Sequence, residues 1–200
     1  MINYKLILFN GPPRSGKDTG VDHLVKQLDM GHIKLAGVLK DRTHALYGLK
    51  RATEHYDRCK DRPHDDFLGI KPRDAYINVA EKLFKEVHGQ TIFPELLTIE
   101  VRKQSNPYIA VSDLGFQQEL EYFVEHFGAQ NILLVKVFRK DCNFDNDSRD
   151  YVDEFDERGN PRFPGLQTIN IINDKLDKYQ EQLSEAAAEF LLIPRVVESA

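Results

Sequence analysis

Tryptophan is absent from this chain, and cysteine and methionine occur only twice each. The two cysteines, Cys59 and Cys142, lie far apart in polar surroundings. Such sparse usage excludes a disulfide framework and suits a reducing cytosol. No apolar run approaches the roughly 20 residues needed to cross a bilayer. Met1-Ile2-Asn3-Tyr4-Lys5 lacks a charged segment followed by a long apolar one, so no signal peptide is expected and the chain reads as cytoplasmic, without a membrane partner. A basic excess is missing too, since the formal net charge is -5. No global positive field therefore gathers a nucleic-acid polymer, and the aromatics lack the basic interleaving that single-strand binding uses. A small anionic ligand remains open, because a few placed Arg and Lys residues can hold one.

What is present describes an ordinary globular chain. Its 200 residues are 41% hydrophobic and 30% charged, enough for one domain with an inserted subdomain. Leu6-Ile7-Leu8-Phe9 is a continuous apolar run, as expected of a strand buried on both faces of a parallel sheet. Gly11-Pro12-Pro13 breaks it, and Val21, Leu24, Val25 and Leu28 then recur on one helical face. An extended segment at Ile33-Lys34-Leu35 leads to a helix from Val38 to Leu46 that stops near Gly48. Arg51 to Asp66 is dense in charge and is expected to be exposed. Pro72 suits a first helical turn, continued by Ala75, Val79, Leu83 and Val87. Further strands are expected at Tyr108–Val111, Ile132–Val137 and Thr168–Ile172, with helices over about 117–126 and 174–191. This alternation predicts an α/β fold with a mainly parallel sheet, interrupted by insertions over about 50–72 and 140–166. No repeat, low-complexity segment or second independent domain is evident.

Gly11-Pro12-Pro13-Arg14-Ser15-Gly16-Lys17 fits G-x-x-x-x-G-K, directly after a buried strand and before a helix. A phosphate chain needs several backbone N–H donors converging on it, and a first helical turn supplies them with a positive dipole end. Gly11 and Gly16 permit close approach, Lys17 reaches the β- and γ-phosphates, and Thr19 is placed to bond a phosphate oxygen. Asp18 stands where Ser or Thr commonly meets Mg²⁺.

With Asp18 and Thr19 included, this stretch closely resembles the P-loop of adenylate-kinase-like nucleoside monophosphate kinases, most of all the phage and bacterial deoxynucleoside monophosphate kinases. The resemblance implies a three-layer αβα sandwich of P-loop type, with an acceptor-binding helical insertion at about 36–105 and a lid-like loop at about 139–166. It implies Mg²⁺–ATP as donor, held by Gly11, Arg14, Ser15, Gly16, Lys17, Asp18 and Thr19. Asp18 then either holds a metal-bound water or is an acid favoured in a first turn. Leu35-Ala36-Gly37-Val38-Leu39-Lys40 with Tyr47-Gly48-Leu49 looks like the segment opening the monophosphate site, which makes Lys40 and Arg42 acceptor contacts or a solvated face. Lys71-Pro72-Arg73-Asp74 looks like the Pro-Arg of a substrate-facing helix, where Arg73 grips the acceptor phosphate or pairs with a nearby acid. Ser112-Asp113-Leu114-Gly115-Phe116-Gln117-Gln118-Glu119 resembles Asp-x-Arg-Phe-x-x-Glu. Asp113 then orients Mg²⁺ or its waters, or caps a helix, and Gly115 takes the place of the arginine. Arg139 and Arg149 join Lys17 as catalytic candidates, either closing over the transferred phosphoryl group as part of the lid or lying on a plain acidic surface loop. Asn173-Asp174 looks like the Asn-Asp near the adenine end, and is also a common turn pair.

Two constellations fail on spacing. His55, Cys59 and His64 match no paired zinc-ligand pattern. Asp141, Asn143 and Asp145 open like a calcium loop, but Asn146 and Val152 stand where Gly and Glu are needed. The expected activity is ATP-dependent phosphoryl transfer to a (deoxy)nucleoside monophosphate, with a homodimer admissible. The rivals are a P-loop kinase for another small anionic acceptor and a nucleotide-binding module with little transferase activity.

Overall fold

Leu6, Ile7, Leu8 and Phe9 are wholly buried in the first strand of the computed structural model, which describes residues 2–145 and 147–192. The chain runs through β1 (Lys5–Asn10), α1 (Lys17–Leu28), β2 (Gly31–Ile33), α2 (Leu35–Tyr47) and α3 (Thr53–Asp57). It continues through α4 (Pro72–Asn78), a π-helical stretch (Val79–Lys85), α5 (Glu86–His88) and α6 (Ile92–Arg102). The last elements are β3 (Tyr108–Leu114), α7 (Gln117–Phe127), β4 (Ile132–Phe138), β5 (Gln167–Ile172) and α8 (Leu176–Leu192). Among the described residues no helix is long and apolar enough to cross a membrane.

The five strands form one parallel sheet in the order β2-β3-β1-β4-β5, flanked by helices. Side chains alternate along a strand, so Ile7 and Phe9 face one layer while Leu6 and Leu8 face the other. Both sets are apolar because a parallel sheet is covered on both sides. On one face, Val21 and Leu24 of α1 and Tyr179, Leu183, Ala187 and Phe190 of α8 close the core. The chain divides into two compact units, one formed by residues up to Ile33 together with those from Lys103, the other by Lys34–Arg102.

In the Lys34–Arg102 unit, Arg51–Asp66 is largely exposed, as its charge implies, apart from the buried Tyr56. Its charges sit around a buried aromatic nucleus of Tyr56, Phe67 and Tyr76. The Tyr56 hydroxyl donates to Asp66 at 2.9 Å, and His44 Nε2 meets the Tyr76 hydroxyl at 2.8 Å. Burial lowers the His44 pKa below its ordinary value, which favours the neutral ring within this nucleus. The extended segment expected at Ile33-Lys34-Leu35 ends at Ile33, since α2 begins at Leu35. Leu83 and Val87 are exposed although Ala75 and Val79 are buried. The wider π turn advances the spacing and rotates these later residues off the buried face.

In the larger unit, the loop after β4 is tied down over part of its length. Asn10, wholly buried, donates from Nδ2 to the carbonyls of Leu114 and Asp150, both at 3.0 Å. Its Oδ1 accepts the Val152 N–H at 3.0 Å. Lys136, nearly buried in β4, pairs with Glu154, and the Tyr151 hydroxyl donates to the Val137 carbonyl at 3.0 Å. Gln117 and Asp153 exchange two further bonds, of 2.8 and 3.1 Å. Residues 150–154 are thus a pinned strap within the segment expected to act as a lid.

Asn10→Ala strands two carbonyls and one N–H beneath this strap. It should lower unfolding stability by roughly 3 kcal/mol with an unchanged denaturant slope, read by urea titration. A loss under about 1 kcal/mol would show that Asn10 does not hold the strap.

Candidate phosphate-binding site

Five carbonyls of the loop between β1 and α1 are each bonded by a side-chain donor. Lys17 Nζ donates to the carbonyls of Gly11 at 2.6 Å and Pro12 at 2.7 Å. Arg139 donates to the Arg14 carbonyl at 3.3 Å, Asn173 Nδ2 to that of Ser15 at 2.8 Å, and the Tyr179 hydroxyl to that of Gly16 at 3.1 Å. In a trans peptide the N–H points opposite to the C=O. The Gly11 and Pro12 carbonyls precede prolines, which carry no N–H, and the Ser15 N–H donates to the Pro12 carbonyl. It is therefore the tied Ser15 and Gly16 carbonyls that turn the N–H groups of Gly16 and Lys17 the opposite way. The residue before α1 is Gly16, which has no side chain with which to cap the first turn.

Space and backbone strain fit the same picture. A Cβ on Gly11 would lie 2.6 Å from the Val137 carbonyl oxygen, and one on Gly16 would overlap Asn173 Nδ2. Gly16 also sits at φ 105, which favours glycine, and Arg14 holds φ 66, a left-handed conformation that costs a non-glycine residue about 1–3 kcal/mol. Ser15 is wholly buried and its Oγ has no hydrogen-bond partner among the described residues. A buried hydroxyl without a partner is uncommon in folded proteins and suits an incoming acceptor or ion.

Lys17 is the electrostatic centre. It is only 9% exposed, and its pKa is lowered to about 8 by burial first and by the Arg149 charge second. Asp18, Asp113 and Asp147 oppose that shift. Arg149 is gripped by Asp147 through Nε at 2.8 Å and Nη2 at 2.6 Å. That fork holds the Asp147 carboxyl below the usual carboxylate range. An open cleft of about 610 Å³ adjoins the site, walled in part by Arg139, Phe144, Arg149, Tyr151 and Ile172. The rings of Phe138 and Tyr151 stack at 4.6 Å along it.

Of the sequence candidates, Gly11, Arg14, Ser15, Gly16, Lys17 and Arg139 belong to one braced loop, and Asp18, Asp113 and Arg149 lie within electrostatic reach of Lys17. Asp18 and Thr19 are exposed on the first turn of α1. Asp113 lies within β3, and the N-terminal residue before α7 is Phe116, so Asp113 is no helix cap. Glu119 serves that end instead, its carboxylate accepting the N–H groups of Gly115 at 2.9 Å and Phe116 at 3.1 Å. Lys40, Arg42 and Arg73 belong to the other unit, each paired with an acid on a different element. Lys40 meets Asp57 at 2.7 Å, Arg42 meets Glu100 at 3.0 Å, and Arg73 meets Asp61 at 2.6 Å. Tyr179 escaped the sequence reading. Its only signal was its place on the apolar face of α8, four residues before Leu183.

Carboxylates beside a polyanion-binding loop repel the ligand unless a cation sits between them. Asp18 and Asp113 supply hard oxygen donors of the kind that magnesium takes. Among the described residues no group of three or more His, Cys, Asp and Glu side chains is placed to hold a metal alone. A cation here would share itself between one or two carboxylates, water and the ligand's own oxygens, which is the usual manner of Mg²⁺.

No family model matches the chain, and no curated protein matches it. Among solved structures, a sugar kinase from Janibacter sp. is similar over 98% of this chain and 99% of that one, at 11% identity and a TM-score of 0.47. Shikimate kinase from Aquifex aeolicus covers 94% and 98%, at 14% identity and 0.45. A gluconokinase from Sinorhizobium meliloti covers 95% and 97%, at 8% identity and 0.42. At such identities and TM-scores the likeness says nothing of what this chain acts on.

The lowered Lys17 pKa predicts a pH dependence of stability. The unfolded chain keeps the lysine protonated up to its ordinary 10.5, whereas the folded one releases the proton near 8. Between those values the unfolded state binds more protons, so stability rises with pH. Thermal melts of the free protein from pH 7 to 9.5 should show this rise, and Lys17→Met should abolish it. Parallel curves for the two proteins would mean that Lys17 titrates normally.

Proposed function

We propose that this protein transfers the γ-phosphoryl group of ATP to a small anionic acceptor, and that the acceptor is a (deoxy)nucleoside monophosphate. The observation that carries the reading is the braced Gly11–Lys17 loop, with its carbonyls tied back, Gly16 before its helix and the Ser15 hydroxyl unpartnered among the described residues. Such a loop is suited to a phosphate chain and to little else. ATP is assigned to Gly11, Arg14, Ser15, Gly16, Lys17, Asp18 and Thr19, and the adjoining cleft has the size of a nucleoside pocket. Asp113 and Asp18 are assigned to Mg²⁺, which when bound neutralises charge on the phosphate oxygens.

In the reaction, the bond from the γ-phosphorus to the β–γ bridging oxygen breaks and one forms to an acceptor phosphate oxygen. The acceptor is already an anion, so no general base is required. Lys17 donates to the oxygens on which charge develops, and Arg139 and Arg149 are assigned to the same charge. Catalysis is then positioning and charge stabilisation. Lys40, Arg42 and Arg73 are assigned to the acceptor, each exchanging its present carboxylate for phosphate oxygens. The segment-by-segment likeness to monophosphate kinases favours that acceptor over a neutral hydroxyl compound. The protein is expected to act in the cytoplasm.

The test is a panel of ribo- and deoxynucleoside monophosphates with γ-labelled ATP. At least one deoxynucleotide should be converted to its diphosphate. Lys17→Ala should fold normally and lose transfer at least about 100-fold. ATP binding without labelled product from any monophosphate would overturn the proposed acceptor.

A further inference from the structure

Gly115 is a glycine that its backbone does not require. Its φ lies outside the left-handed region that eight other glycines of the chain occupy. What it does instead is leave room. A Cβ built there would overlap Arg149 Cδ and come within 2.5 Å of Cγ and 3.0 Å of Cβ. The aliphatic stem of Arg149 therefore fills the space that any side chain at 115 would take.

The position lies beside the phosphate loop. In the pairing of β1 with β3, Asn10 stands opposite Leu114, so Gly11 and Gly115 are the next residues along neighbouring strands. Arg149 is also fixed there by its own backbone. The Asp150 N–H donates to the Gly115 carbonyl at 3.2 Å, and the buried Asn10 side chain donates to the Asp150 carbonyl at 3.0 Å. The head is oriented by the Asp147 fork, and the same carboxylate accepts the Arg149 N–H at 3.1 Å. Through-space coupling links the guanidinium to Lys17 and Asp113. An arginine at the edge of the pinned strap is thus already beside the loop, with no closure needed to deliver it.

We propose that Gly115 is a positioning residue: by withholding a side chain it seats Arg149 as a preset second cation for the phosphate chain that Lys17 receives. The inference rests on the phosphate-loop reading above and adds to it the source of the second charge. Asp147 is the counter-ion that keeps this cation from standing alone in the free protein. When a phosphate arrives, Arg149 can keep its stem on Gly115 and turn a guanidinium edge to the ligand, because a guanidinium carries five donors and Asp147 uses only two.

A double-mutant cycle tests this on the whole chain, with ATP and inorganic tripolyphosphate as probes and calorimetric titration as the readout. Arg149→Ala should raise both dissociation constants at least tenfold. Gly115→Ala should raise them to a similar degree, because it expels the arginine. In Gly115→Ala/Arg149→Ala the overlapping Cγ and Cδ are gone and only the two Cβ atoms meet, at 3.0 Å. A shift of a few tenths of an ångström relieves that contact, so the double variant should bind as Arg149→Ala alone, within about twofold. If Gly115→Ala alone does not fold, the double variant should recover the melting temperature of Arg149→Ala, which reads the same coupling. Additive losses, an unaffected Gly115→Ala, or a double variant that stays unfolded would overturn the proposal. A parent protein that binds neither probe would overturn the phosphate-loop reading itself, whereas a binding parent with an additive cycle overturns the seating of Arg149 alone.

Discussion

The tying back of the loop carbonyls is the constraint on which the site depends. Left alone, a glycine- and proline-broken turn has many conformations, and its N–H groups would converge on nothing. Here the carbonyls of residues 11, 12, 14, 15 and 16 are each bonded by a side-chain donor. Those donors come from α1, from the residue after β4, from the residue after β5 and from α8. Three strands in fixed register and the packing of α8 on α1 are therefore needed before the loop has a shape. Gly20 shows how close that packing is, since a Cβ there would overlap the Tyr179 hydroxyl that holds the Gly16 carbonyl.

The bracing has an electrostatic consequence. Lys17 must sit nearly buried to reach the Gly11 and Pro12 carbonyls, and there it is short of water and close to Arg149. Two cations held near one another without a ligand are costly, and Asp147, Asp113 and Asp18 offset that cost. The free protein is thus poised: positive groups that suit a polyanion are kept by carboxylates that suit a metal. The strap at residues 150–154 keeps Arg149 in this arrangement, so the charge pattern is a property of the folded unit and not of a moving loop.

The parts of this account legible in the sequence are those made by neighbours along the chain. β1, β4 and the loop after β1 could be read because a buried parallel strand is continuously apolar, and because Gly11, Gly16 and Lys17 keep a short fixed spacing. The parts that were hidden depend on distant contacts. Tyr179 looked like any aromatic on an amphipathic helix, and only the tertiary packing brings its hydroxyl to Gly16. Tyr56 and Phe67 sit in a run of charges whose side chains point outward around them, so composition suggested an exposed loop. α6 carries Pro94 at its start and drew no reading, although Pro in a first turn is well tolerated. Gly115 read as the loss of an arginine. In space it is where the stem of another arginine lies, a relation that no local window contains.

The central claim is that Lys17 is held ready for an anion, its pKa lowered to about 8 when free. Binding a phosphate chain should restore its proton. The direct measurement is proton uptake on ATP binding at pH 8.5, by calorimetry in two buffers of different ionisation enthalpy. ATP itself is fully deprotonated there, so uptake reports on the protein. The account predicts uptake of more than half a proton per ATP bound, lost in Lys17→Met. Binding of ATP with no proton uptake, or uptake that persists in Lys17→Met, would contradict it.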